Sequence, residues 1–81
     1  MNLPVTIKLD HPIEAGTDKI TELVISRRPK TRDLKKMDEE KGEIAKSAAL
    51  LATLADVPVS WIDQMDASDF MRAAEVVGNF L

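Results

Sequence analysis

The sequence predicts an α+β protein: an N-terminal antiparallel β-hairpin followed by three to four α-helices packed as a small bundle. Three observations predict it. Apolar residues alternate with polar ones before Arg27, the pattern of a half-buried strand. They recur at helical spacing after Gly42. Between the two lies Arg27-Arg28-Pro29-Lys30-Thr31-Arg32-Asp33-Leu34-Lys35-Lys36, which holds six of the eleven Lys and Arg residues and marks the change of period with a proline. At 81 residues the chain is read as one domain. The hairpin spans 1–26, the basic joint and a short helix 27–42, and the helical part 43–81.

Val5, Ile7 and Leu9 form the inward side of the first strand, with Thr6 and Lys8 outward. Asp10-His11-Pro12 interrupts it, because Pro12 has no N–H to give to a ladder. Ile13 to Ala15 resumes it after a kink or bulge, and Gly16 with Thr17 and Asp18 supplies the hairpin turn. Ile20 to Ser26 is the return strand, with Leu23 and Ile25 facing inward and Glu22 and Val24 outward. Thr31 is read as the cap of a helix opening on Arg32 and Asp33, with Leu34 and Met37 as its apolar side. Gly42 breaks that helix.

The helix from Glu43 to Ala55 carries the firmest pattern. Ile44, Ala48, Leu51 and Ala55 fall on one stripe, with Ala45, Ala49 and Ala52 beside it. Leu50 lies off the stripe, either covered by the hairpin or part of a binding surface. Asp56-Val57-Pro58 ends the helix, and Ser60 to Asp63 has the spacing of a capping box before a short turn with Trp61, Ile62 and Met65. Asp66 caps the last helix, with Asp69 read as a further N-terminal acid. Phe70, Ala73, Ala74, Val77, Phe80 and Leu81 form that helix's apolar face.

Composition excludes several function classes. There is no cysteine, so disulfides and thiolate metal sites are ruled out. No apolar run approaches the roughly 18 residues of a membrane span, and the first residues lack the features of a signal peptide. The net charge is −3, distributed as −2 over residues 1–26, +3 over 27–46 and −4 over 47–81. A basic joint between acidic halves permits head-to-tail self-association. Folding a chain this short buries only about 60–65% of its unfolded surface, so a partner or a homo-oligomer is expected to add stability.

Chemistry is hard to find. The one histidine, His11, sits in a turn beside Asp10 with no metal-ligand cluster near it, and reads as a surface residue. No serine has the context of an activated nucleophile. Asp63, Asp66 and Asp69 fall three apart but lack the alternating ligands and glycine of a calcium loop, and capping accounts for Asp66 and Asp69. No glycine-rich phosphate loop exists. The chain is therefore read as a non-enzyme, with no cofactor and no metal. The basic stretch 27–36 could meet phosphates, but no aromatic side chain lies near it and three acids follow at once, which argues against nucleic acid.

Taken in order, Pro12-Ile13 with Gly16, Arg27-x-Pro29 with Asp33, Met65-Asp66 with Asp69, and terminal Phe80-Leu81 make a pattern spanning nearly the whole chain. It resembles the small tail assembly chaperones of contractile-tailed phages and prophages, the group of the E protein of phage P2 and its counterpart in phage Mu. Ser26 departs from that pattern, which has an apolar residue there. The resemblance implies a protein of the bacterial host cytoplasm, absent from the mature virion. It implies binding of the tape measure protein, keeping its apolar helical segments soluble, and recruitment of tail tube protein. In many such phages a longer, frameshifted form also exists. Leu50, Leu54, Trp61 and Met65 are the candidate partner-binding residues, with intramolecular core as the competing reading. Arg27, Pro29 and Asp33 form the structural joint, where an Arg27–Asp33 pair can cross the turn. The competing functions are a small DNA-binding or regulatory protein using 27–36, and an oligomeric structural adaptor of the tail.

Overall fold

The structure is a computed structural model that describes residues 3–81. Strands β1 (Val5–Ala15) and β2 (Asp18–Ile25) pair antiparallel and are followed by α1 (Thr31–Met37), α2 (Glu43–Ala55), α3 (Val59–Asp63) and α4 (Ala67–Gly78). This is the α+β arrangement the two periodicities predict. The return strand starts two residues earlier than its β-branched run suggests, directly after the turn at Gly16 and Thr17. Gly16 takes φ 65°, a left-handed value that a side chain would resist.

Val5 faces Ile25 and Ile7 faces Leu23, so the inward residues of the two strands pair on one face. The register then shifts: Lys8 opposes Glu22, but Ile13 opposes Ile20. Leu9, Asp10, His11 and Pro12 bulge out against Thr21 alone, and the strand still returns Ile13 to the core. Ser26 is exposed, and Ile25 before it is fully buried, so the polar departure leaves the inward register intact.

Helix α1 starts one residue before the expected position, and Thr31 does not cap it. The N–H of Lys30, the capping residue, is taken by the Asp33 carboxylate at 2.7 Å, so the helix is capped from inside its own first turn. The inward side of α1 is Asp33 and half-buried Met37, while Leu34 is 37% exposed. Pro58, not Ser60, occupies the cap of α3. Pro58 holds φ −64° ahead of the first turn, where its missing N–H costs nothing.

One core joins all the layers. The hairpin contributes Ile7, Leu9, Ile13, Leu23 and Ile25, α2 contributes Ala48, Leu50, Leu51, Ala52 and Leu54, and α3 contributes Ile62. Phe70, Ala73, Val77 and Phe80 close it from the C-terminal side. Helix α2 is buried over a wider arc than its stripe predicts, because other elements cover both of its sides. Ile44, the first residue of that stripe, is nevertheless 64% exposed, because it stands on the wall of an open groove and not under a packed element. Leu81 is also exposed, while Phe80 beside it is buried. No helix of the described residues is long and apolar enough to cross a membrane.

Candidate functional site

Two buried aspartates fix the frame that any partner would meet, and they are the only buried charged residues among those described. Asp33 receives a forked pair from Arg27, Nη1 to Oδ2 at 2.7 Å and Nη2 to Oδ1 at 3.1 Å. With the Lys30 N–H it binds the end of β2, the turn through Pro29 and the first turn of α1 into one unit. The Arg27 hydrogen bonds, joined by that of Lys30, hold the Asp33 carboxyl far below the usual carboxylate range. Arg28 completes the joint on its other side. Its guanidinium lies 5.7 Å from the centre of the Phe80 ring and donates to the Phe80 carbonyl at 3.4 Å.

Asp69 does not serve as a helix cap. Asp66 alone caps α4, accepting the Ser68 N–H at 2.9 Å, with the Ser68 hydroxyl at 2.6 Å. Asp69 reaches across to the β1 bulge, where it accepts the N–H groups of Asp10 (3.1 Å) and His11 (2.9 Å). Arg72 donates both to Asp69 and to the Lys8 carbonyl. Burial alone would push the Asp69 carboxyl up, but the donors from His11, Asp10 and Arg72 outweigh it and hold it below its ordinary value. The interruption at Asp10-His11-Pro12 and the acid at Asp69 are therefore one feature. Their spacing of about sixty residues hides it from any local reading of the sequence.

Among the described residues, two concave surfaces stand out beside this frame. The larger, about 630 Å³, lies between the joint and the C-terminal half of α2, with Arg27 and Lys36 facing Glu40 and Asp56 over a floor of Ala49, Ala52 and Leu54. The smaller, about 220 Å³, is an apolar groove walled by Ile44 and Ala48 on α2, Ile62 and Met65 below, and Ala67 and Phe70 on α4. Its one polar lining residue is Asp63. Met71 stands one helical turn from Ala67 and is strongly exposed, extending the apolar strip along α4.

The four predicted contact residues divide between core and surface. Leu50 and Leu54 are 2% and 1% exposed and belong to the core, where hairpin and helices enclose them, and Leu54 also lines the larger concavity. Trp61 and Met65 are half-buried at the surface, and Met65 lines the apolar groove. Sequence reasoning missed Ile44 and Phe70 as groove residues, because helical periodicity gives a residue's direction without showing where its neighbours end. Among the described residues no cluster of His, Asp and Glu could hold a metal ion. His11 is exposed, 4.0 Å from Asp66.

The smaller groove is apolar enough to hold side chains of another polypeptide. Comparison with known proteins gives the same class of work. The family model of phage tail assembly chaperone proteins, described as E, or 41 or 14, matches residues 6–81. The chain belongs to the phage tail assembly chaperones. Searches of curated proteins and of solved structures returned no match. Membership implies protein partners in tail assembly, and each of the sequence motifs has a visible place in this chaperone's fold. Pro12 ends the β1 bulge, Arg27 and Asp33 pair across the joint, Asp66 and Asp69 open α4, and Phe80 closes the core.

Proposed function

We propose that this chaperone acts without catalysis, binding apolar helical segments of the tape measure protein and keeping them soluble until tail tube subunits are recruited. The match to the chaperone family over residues 6–81 carries the reading. The groove of Ile44, Ile62, Met65 and Phe70, with Trp61 and Met71 near it, is the contact surface. A helix that places apolar residues at i, i+3 and i+4 would fill such a groove. Met65 and Met71 suit clients of varied sequence, because an unbranched thioether repacks readily.

The test is co-expression with a phage tape measure protein. The client's soluble fraction should rise with the wild-type chaperone and fall back with Met65→Glu or Ile44→Glu. A soluble fraction unaffected by the wild-type protein would overturn the proposal. The DNA-binding alternative is disfavoured by the joint itself, since Arg27 is paired with Asp33 and Arg28 with Phe80 instead of standing free for phosphates.

A further inference from the structure

The two edges of the hairpin are unlike. Along β1, the N–H groups of Asp10 and His11 go to Asp69, the Lys8 carbonyl accepts from Arg72, and Pro12 has no N–H to offer. That edge is bulged and fastened to α4, so a further strand finds no regular ladder there. Strand β2 has none of these devices. Its eight residues run from Asp18 to Ile25 without proline or glycine. Beyond its ladder with β1, no hydrogen bond from another described element reaches its backbone. In an antiparallel pair, alternate residues turn their N–H and C=O groups away from the partner strand, so β2 carries an unclaimed row of both. Thr21, Glu22 and Val24 beside that row are exposed, Val24 to 40%.

A row of backbone donors and acceptors is matched by another extended backbone. The side chains narrow the choice. Lys19 and Glu22 are both exposed, and a strand that sets an acid against the first and a base against the second satisfies them. A second copy of β2 does not. Paired about a two-fold axis at Ile20 it sets Asp18 against Glu22, and at Glu22 it sets that acid against itself. Paired about Thr21 it leaves Lys19 opposite Leu23 and Glu22 opposite Ile20. We infer that β2 receives an extended segment of a partner protein as a third, antiparallel strand. In that segment a lysine or arginine opposite Glu22 precedes an acid opposite Lys19, among β-branched residues. The hairpin, marginal as two strands, gains stability from the third. This surface is separate from the helical groove, whose lining includes no residue of β2.

Hydrogen exchange of the full chain, followed amide by amide, tests it. The probe is a synthetic peptide of the length of β2, built of valine and threonine, with lysine ahead of glutamate at the spacing that separates Glu22 from Lys19. Exchange should slow at alternate amides of β2, those turned away from β1, and not at Ile44 or Phe70 in the groove. Swapping the lysine and glutamate keeps the peptide's net charge but opposes like charges, and should weaken binding about tenfold. A peptide N-methylated along its backbone keeps every side chain but donates no backbone hydrogen bond, and should not bind. The inference is overturned by a peptide that leaves β2 exchange unchanged, by one that slows only groove amides, or by binding that survives N-methylation. It is also overturned if the β2 amides become protected as the concentration of the chain alone rises, which would put a second copy on this edge.

Discussion

Asp33 and Asp69 are built from the same parts and differ in what they span. Each is buried, each is gripped by an arginine, and each accepts backbone N–H, one for Asp33 and two for Asp69. The partners of Asp33 lie three and six residues away, whereas the N–H donors to Asp69 lie 58 and 59 residues away. Closing a short loop costs little chain entropy, so the Asp33 staple chiefly sets the shape of a turn. The Asp69 staple fastens the bulge of β1 to α4, two elements at opposite ends of the sequence. A two-stranded hairpin is marginal in water by itself, and this fastening fixes where it rests.

The largest expected effect follows from that contrast. Asp69→Ala leaves two N–H groups of the bulge without their acceptor and removes the buried partner of Arg72, which keeps only the Lys8 carbonyl and the exposed Asp10, and should destabilise the protein by about 3 kcal/mol. Urea unfolding monitored by circular dichroism would measure it. Asp33→Ala should cost distinctly less, because it orphans one backbone N–H, that of exposed Lys30, where Asp69→Ala orphans two. Equal losses would break the comparison, showing that the turn matters as much as the clamp.

The two staples were also unequally legible in the sequence. Arg27 and Asp33 stand close together around a proline, so their pairing can be anticipated from spacing alone. Asp69 sits where an N-terminal helix acid belongs, and a local preference accounts for it fully, so nothing in the sequence directs attention to β1. The β1 interruption was readable as a break, but its partner was not. The candidate surface shows the same limit. Periodicity placed Leu50 off the main stripe of α2, yet whether the hairpin reached far enough to cover it depends on tertiary packing. Ile44 followed the stripe and still emerged exposed, because the elements facing it stand apart and leave an open groove. Fold class survived these errors because it rests on the change of period at residue 27 and not on any single side chain.

Acid should separate the staples in a second way. Both carboxyls lie below their unfolded value of about 3.9, so the unfolded chain takes up protons first as pH falls. Their stabilising contribution is therefore complete above that value and drains away as pH drops from about 4 through the depressed folded values. Asp33 is held much the further below. Asp33→Asn should accordingly flatten the acid limb of a stability-versus-pH profile more than Asp69→Asn, reversing the order seen with alanine at neutral pH. Urea midpoints measured from about pH 6 down to about pH 2.5 would show this as a shallower slope for the Asp33 variant. An acid limb unchanged in both variants would mean that other carboxylates control acid unfolding.

The smallest effect concerns a third aspartate near the same joint. Asp56 ends α2 with φ 55° and ψ 48°, a left-handed conformation that glycine adopts freely and other residues resist. Its carboxylate also lies within the field of Arg27, and both line the larger concavity. Asp56→Gly relieves the backbone but adds freedom to the unfolded chain, so the net gain should be about 0.5 kcal/mol. Asp56→Asn retains a residue type that tolerates this conformation and removes only the charge, and should stay within about 0.5 kcal/mol of wild type. Comparing the two in thermal unfolding separates strain from electrostatics. If Asp56→Asn cost as much as Asp33→Ala, Arg27 would be shared between two carboxylates, and the joint would have to be described as a three-residue cluster instead of a single pair.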